Sequence, residues 1–467
     1  MSTRANRARS PAFPVVRTRF GLGRARSDTA PAAVADTIAA VRERHELTTL
    51  PGGERIASER IPGVRSVALG LWIGTGSRDE PRSRAGVSHF IEHLLFKGSA
   101  RYDAQEIAEL FDAMGGELNA ATSRETTVVY TRVPDDRLEQ ALDAMADMVF
   151  APAFEDVDSE REVVLEEIAM VDDNPQDLVH DLAAEAVFGT HPLGRPVIGS
   201  AEVISRVSPR ALRSWHGGAY VGPNVVLAAA GNLQHGRLVD LFASSRRKRR
   251  APSRVKRTPL ARPPRPGYRF LKRRTEQYHV VLAGLGIARD DERRYAVSTL
   301  DAILGGSASS RLFQEIREKR GMAYSVYTFG SQYTETGQVG IYVGTREDNL
   351  RECLEVTAAE LADLAAGNLR PGELDRAKEN LEGRLLLSLE STSNRMTRLG
   401  RALVTDMEIV SVEETVRRIR AVSDADVAAA ARDLFAPERL SAAGIGPRES
   451  RFRAALGRLA PALAERA

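Results

Sequence analysis

Val87-Ser88-His89-Phe90-Ile91-Glu92-His93-Leu94 and Val297-Ser298-Thr299-Leu300-Asp301-Ala302-Ile303-Leu304 lie 210 residues apart (299 − 89) and open and close alike. The segments before them also match, Ser77-Arg78-Asp79-Glu80 against Ala288-Arg289-Asp290-Asp291. Further along, Glu160-Arg161 and Glu167 find partners in Asp375-Arg376 and Glu382. Repetition on this scale predicts an old duplication and two related halves. In this register Thr299, Ala302 and Ile303 stand where the first half has His89, Glu92 and His93. Only the first half is therefore expected to keep that chemistry.

Working outward, Ser66–Ile73 alternates as a half-buried strand does. A helical pattern covers 86–96, and a second covers 104–114 and stops at Gly115-Gly116. Thr126–Thr131 reads as a strand, and helices fit 135–149, 157–171 and 176–187. Strand-like Asn224–Ala230 ends at Gly231-Asn232. Residues 244–267 break the pattern with Arg246-Arg247-Lys248-Arg249-Arg250 and several prolines, which predicts an exposed linker. Val280–Leu285 then restarts the strand pattern, with a helix from about Glu292. The expected organisation is a disordered extension over 1–45, a first domain over 46–243, a basic, proline-rich linker over 244–267, a related domain over 268–450 and a tail over 451–467.

Composition narrows the function classes. Hydrophobic residues make up 43% and charged residues 28% of 467, ordinary for a globular protein. No apolar run approaches the roughly 20 residues of a membrane span. Cys353 is the single cysteine, so neither an intrachain disulfide nor a cysteine-based zinc site is available. The net charge of +3 does not point to nucleic acid, and no aromatic residues or binding motif accompany the basic run. Residues 1–27 carry seven arginines and no acid. That resembles a mitochondrial leader, but only six of the 66 basic residues are lysine, so arginine content is a bias of the whole chain.

His89-Phe90-Ile91-Glu92-His93 is an H-x-x-E-H pattern on a helix. Residues four apart share a face, so both imidazoles can reach one metal ion. Glu92, three from His89, can take a proton from water beside that ion. The ordinary alternative is a polar helix face or a pair of satisfied core histidines. A third ligand is needed, and 157–171 offers Asp158, Glu160, Glu162, Glu166 and Glu167. Glu160 and Glu167 are two turns apart and are expected to share a face with Val163 and Val164.

The chain resembles the pitrilysin/insulinase family of zinc metallopeptidases from about residue 46 to 448. It is closest to the short-chain branch that includes the mitochondrial processing peptidase β subunit and bacterial relatives. The resemblance rests on His89–His93, Glu160-Arg161-Glu162-Val163-Val164-Leu165-Glu166-Glu167-Ile168 and His191-Pro192-Leu193-Gly194-Arg195-Pro196. It continues through Leu304-Gly305-Gly306, Ser309-Ser310-Arg311-Leu312-Phe313, Arg317 and Tyr324. It implies one Zn2+ per chain, held by His89, His93 and Glu167, with Glu166 the competing choice. It implies Glu92 as general base and Glu160 as the carboxylate that orients a ligand histidine. Gly115–Thr122 resembles the family's substrate-pairing edge strand, with Asn119, Ala120 and Thr122 lining the cleft. Arg317 and Tyr324 are implied to act on the substrate carbonyl opposite the zinc.

The expected fold is α/β (α+β), two homologous domains each with a largely antiparallel sheet packed with helices. The expected function is zinc-dependent endopeptidase cleavage of unfolded peptides or presequence-like segments. The expected partners are peptide substrates and a second copy in a homodimer, or a related subunit in a heterodimer, without nucleic acid or membrane. The expected compartment is a bacterial cytoplasm, with the mitochondrial matrix as alternative. The competing readings are a non-catalytic scaffold subunit of the same family and a nucleic-acid or membrane adaptor using the basic linker.

Overall fold

Valine, isoleucine and leucine alternate with Ala68, Gly70 and Trp72 along Val67–Ile73, and the two sets face opposite ways across a strand. Val67, Leu69, Leu71 and Ile73 join one core, while Ala68 and Trp72 join another. That division organises the first half. In this computed structural model the described residues are 45–245, 257, 259–260, 262–457 and 459–466. The first half has β1 (His45–Thr49), β2 (Arg55–Arg60), β3 (Ser66–Ile73), β4 (Glu117–Thr122), β5 (Thr127–Pro134) and β6 (Val225–Gly231). They form one sheet in the order β1-β2-β6-β3-β5-β4. β2 runs parallel to β6 and every other pairing is antiparallel, with Leu71 opposite both Leu227 and Val129.

Its helices are α1 (Val87–Leu94), α2 (Ala104–Ala113), α3 (Leu138–Phe150), α4 (Val157–Asp173), α5 (Pro175–Phe188), α6 (Ala201–Ile204), α7 (Pro209–Ala219) and α8 (His235–Ser245). The second half has β7 (Tyr268–Lys272), β8 (Tyr278–Gly286), β9 (Ala323–Gln332), β10 (Gly337–Thr345) and β11 (Ser441–Gly446) in the order β7-β11-β8-β10-β9. Again one pair, β7 with β11, is parallel. Its helices are α9 (Arg294–Leu304), α10 (Glu347–Ala365), α11 (Glu373–Ser388), α12 (Thr392–Val404), α13 (Val412–Ala421), α14 (Asp424–Leu434), α15 (Glu449–Leu456) and α16 (Pro461–Arg466). Strand order and connection match the first half once β1 is set aside. α1, α4, α5 and β4 therefore have α9, α11, α12 and β9 as counterparts.

The halves exchange one helix each. Val179, Ala183, Val187 and Phe188 of α5 pack on Val281, Ala283, Ala443 and Ile445 of the second sheet. Met396, Leu399 and Val404 of α12 pack on Ala57, Ala68, Trp72 and Val226 of the first. Small residues allow the close approach: a Cβ at Gly400 would meet the Trp72 indole well inside van der Waals contact. Burying each valine, leucine, methionine or phenylalanine of these contacts contributes about 1.5–3 kcal/mol, so the borrowed helix stabilises each sheet face.

Two expectations change, on Arg257 of the linker and on the tail, and parts of two segments lie outside the described residues. Residues 246–256, 258 and 261 of the expected linker, like 1–44 of the expected extension, lie outside the described residues. Arg257 is docked, not exposed: it pairs with Asp79 at 3.1 Å and donates to the carbonyl of Glu125 at 2.6 Å. The expected tail is not a tail either, because Phe452 and Leu456 of α15, Leu459 and Ala460 after it and Leu463 of α16 are buried in the second core.

Candidate metal centre

α1 begins at Gly86, which has a left-handed φ of 95° and no side chain to cap the helix. Glu80 supplies the cap from outside. Its carboxylate accepts the backbone N–H of Gly86 and of Ser88, both at 2.7 Å. Burial pushes the Glu80 carboxyl up to about 7, against those two bonds and the charge of Arg195. Trp215 donates to the Ser88 hydroxyl at 3.1 Å and fixes the same turn. Phe90, Ile91 and Leu94 are buried, which turns the opposite side of α1, with His89, Glu92 and His93, toward α4.

Glu167 of α4 meets both histidines, with Oε2 3.6 Å from His89 Nε2 and 3.3 Å from His93 Nε2. One donor atom of each residue lies within 4.8 Å of the others. These separations are longer than a good N–H···O hydrogen bond of about 2.7–3.2 Å. Two of them are close to the roughly 3.3 Å edge of a tetrahedron of ligands around zinc. Burial, with the charge of His93 added, lowers the His89 pKa to about 4, so its lone pair is available at neutral pH. The donor set of two imidazoles and a carboxylate suits zinc. Glu166 is exposed on the next position of α4 and is not part of the cluster.

Glu160, 4% exposed, lies behind His93. Its Oε1 is 2.8 Å from His93 Nδ1 and its Oε2 is 2.8 Å from Lys97 Nζ. This leaves His93 Nε2 facing Glu167. His89 Nδ1 is buried without such a partner. Glu92 has one carboxylate oxygen buried and unbonded. Burial raises its pKa, partly offset by Thr122 at the end of β4. A carboxylate of raised pKa beside a metal cluster can hold and return a proton.

β4 is an edge strand, paired only with β5 among the described residues. Asn119 is exposed there, and its Oδ1 accepts the backbone N–H of Ala120 at 2.8 Å. Thr122 faces Glu92 rather than open solvent. Arg317 and Tyr324 meet each other, the guanidinium 4.5 Å from the phenol ring centre, but no contact joins either to the metal cluster. Tyr324 is 77% exposed at the start of β9, the edge strand of the second sheet. One expectation about α4 is corrected: Val163 is 48% exposed, and the buried stripe is Val157, Glu160, Val164 and Ile168. Glu80 and Lys97 were not anticipated. The signal for Glu80 was a helix start at Gly86 without a capping side chain; Lys97 carried none.

In the second half the counterpart positions hold no donor set. Thr299, Ala302 and Ile303 are buried, and Glu382 is paired with Arg420 at 2.6 Å.

A two-domain α/β fold with a histidine–histidine–glutamate cluster and a neighbouring half-buried glutamate has the donor set of a metallopeptidase site. The chain belongs to the insulinase family, peptidase family M16: that family matches residues 55–201, and the "Peptidase M16 inactive domain" matches 206–381. An uncharacterized zinc protease of Streptomyces coelicolor is 41% identical over 446 residues, 92% of this chain and 96% of that protein. One from Bacillus subtilis is 40% identical over 393 residues, 83% of this chain and 95% of that protein. Among solved structures, a protease from Helicobacter pylori aligns with TM-score 0.79 and 20% identity, covering 87% of this chain and all (100%) of that one. A peptidase M16 inactive domain from Pseudomonas fluorescens aligns with TM-score 0.78 and 25% identity, covering 87% and 98%. No helix among the described residues is long and apolar enough to cross a membrane.

Proposed function

We propose that this chain is a zinc endopeptidase acting on unfolded peptides or presequence-like segments. The observation that carries the reading is Glu92, half-buried with one carboxylate oxygen free of any hydrogen bond, set between the His89/His93/Glu167 cluster and the open edge of β4. Zinc held there would supply Lewis-acid polarisation of a carbonyl and acidify a water molecule. The chain's own groups do the rest. The free edge of β4 holds an extended peptide by backbone hydrogen bonds, which demands an unfolded substrate and little side-chain identity. Glu92 takes the proton of the attacking water on its free Oε2 and returns it to the leaving amine. Glu160 and Lys97 keep His93 oriented through both steps.

Arg317 and Tyr324 enter this reading from a second copy of the chain, because within one copy Arg317 lies against Tyr324, Phe313 and Glu318 and neither residue contacts the metal cluster. A homodimer in which each cluster faces the partner's phenol would complete both sites through an isologous interface. A bacterial cytoplasm is the compartment that goes with this reading, and the relatives named above are bacterial.

The test is Glu92→Gln. It should keep about one zinc per chain by elemental analysis and lose turnover of a quenched fluorogenic peptide by at least 100-fold. Cleavage near the wild-type rate would remove Glu92 from the chemistry.

A further inference from the structure

The two histidines of the metal cluster are held in different ways. His93 is oriented through its ring, because Glu160 Oε1 stands 2.8 Å from its Nδ1. His89 has no such partner: its Nδ1 is buried without a hydrogen bond. Its place therefore depends on the backbone that carries it, the first turn of α1. We propose that Glu80 is the positioning residue of His89 and that it acts through that backbone. The proposal rests on the metal assignment of His89, His93 and Glu167 and not on the peptidase reading.

Glu80 is 3% exposed and spends both carboxylate oxygens on one helix turn. Oε2 accepts the Gly86 N–H and Oε1 the Ser88 N–H, each at 2.7 Å. The first N–H groups of a helix have no partner within it, and a carboxylate there also meets the positive end of the helix dipole. Two bonds from one planar group to residues two apart fix the direction of the turn as well as its place. His89 is the next residue after Ser88. The clamp is itself held from behind. Arg195 Nη2 donates to the Glu80 carbonyl at 2.7 Å. The backbone of Ile198 and Gly199 lies against Gly86, and a Cβ at Gly199, where φ is 86°, would run into the Ala85 carbonyl. The His191–Pro196 stretch supplies none of the cluster's donors, and through Arg195 it fixes the residue that fixes His89.

A ligand side chain has to be held to within about 0.5 Å for a metal site to keep its geometry. A glutamine at position 80 can accept only one of the two N–H groups and turns an NH2 toward the other. The first turn of α1 is then free to shift and His89 shifts with it, while His93 stays tied to Glu160. The expected result is weaker and distorted metal binding, separate from any loss of stability.

The experiment compares the full-length parent with Glu80→Gln and Ser411→Ala at about pH 8, where a Glu80 carboxyl pushed up to about 7 is charged. Ser411 caps α13 in the second half, its Oγ accepting the Glu414 N–H at 3.1 Å, and stands for the loss of a helix cap that carries no ligand. The readouts are zinc retention against a chelator, the visible spectrum of the Co2+-saturated chain and the melting of the metal-free chain. Glu80→Gln should weaken zinc retention by about tenfold or more and shift the Co2+ bands, which report ligand geometry. Ser411→Ala should melt earlier than the parent and change neither metal readout. If Glu80→Gln does not fold, Arg195→Gln takes its place; it frees the Glu80 carbonyl, leaves the carboxylate, and should move both metal readouts in the same direction by less. Parent-like zinc retention with a parent-like Co2+ spectrum in the folded variant would overturn the proposal. So would equal changes in Ser411→Ala, which would trace them to stability alone. A parent chain that binds no zinc would remove the metal assignment and the proposal with it.

Discussion

Glu160 is 67 residues from His93 in sequence and 2.8 Å away in space, and Lys97 holds its other oxygen. Such a carboxylate fixes which imidazole nitrogen faces the metal, and its loss typically costs 10–100-fold in affinity, an order-of-magnitude range. The choice between the adjacent glutamates Glu166 and Glu167 can be decided in the same way. About 100° separates neighbours on a helix, so only one of them can meet His89 and His93. Glu167→Gln should therefore weaken zinc retention against a chelator by at least about tenfold, while Glu166→Gln leaves it unchanged. Equal retention in the two variants would refute the assignment of Glu167, and the reverse ranking would move the ligand to Glu166.

At the scale of elements, the exchanged helices set the sharpest demand on side-chain size. Gly400 of α12 lies against Trp72, whereas Gly383 of α11 has open space where a Cβ would stand. The two glycines therefore predict opposite outcomes for the same change. Gly400→Ala should destabilise by about 1–3 kcal/mol through overpacking. Gly383→Ala should stabilise by about 0.5–1 kcal/mol, because alanine is the better helix former. Urea unfolding of the two variants checks both, and a Gly400→Ala protein as stable as the parent would mean α12 does not sit as described. The same packing explains why α4 was half legible. Its E-x6-E spacing placed Glu160 and Glu167 on related faces, but whether Val163 or Val157 entered the core depended on how α4 lies against α1.

Across the whole molecule the halves are joined by charge as well as by exchanged helices. Arg78 reaches Glu125 of its own half and Glu335 of the other, while Arg289 of the second half reaches back to Glu125. Burial alone would raise the Glu125 pKa, but Arg289 and Arg257 outweigh it and hold it at about 2, below an ordinary 4.5. A carboxylate depressed in the folded state contributes stability above its unfolded pKa and loses it as pH falls through the folded value. Stability should therefore drop between about pH 4.5 and pH 2, by on the order of 3 kcal/mol for this group. Glu125→Gln should flatten that part of a pH series of urea midpoints; an unchanged slope would show that the network does not titrate there.

The proposed homodimer is tested by mixing two inactive variants, Glu92→Gln and Tyr324→Phe. In a mixed dimer one site would carry both defects and the other neither, so activity should return toward one site per dimer. Demonstrated subunit exchange without recovery would point to a site complete within one chain, or to a different partner.

The duplication, the strand and helix patterns, the H-x-x-E-H face and the loss of its counterpart at Thr299, Ala302 and Ile303 were all determined by the sequence itself. Each is a matter of spacing along one element, where helical or strand geometry turns residue number directly into direction. The Glu80 cap on α1, the Lys97–Glu160–His93 chain, the exchange of α5 and α12, the docking of Arg257 and the burial of Phe452, Leu456, Leu459, Ala460 and Leu463 were decided only by the tertiary structure. Each depends on which faces of distant elements come together. Burial and the pairing of charges across the whole chain settle that, and spacing within one element does not.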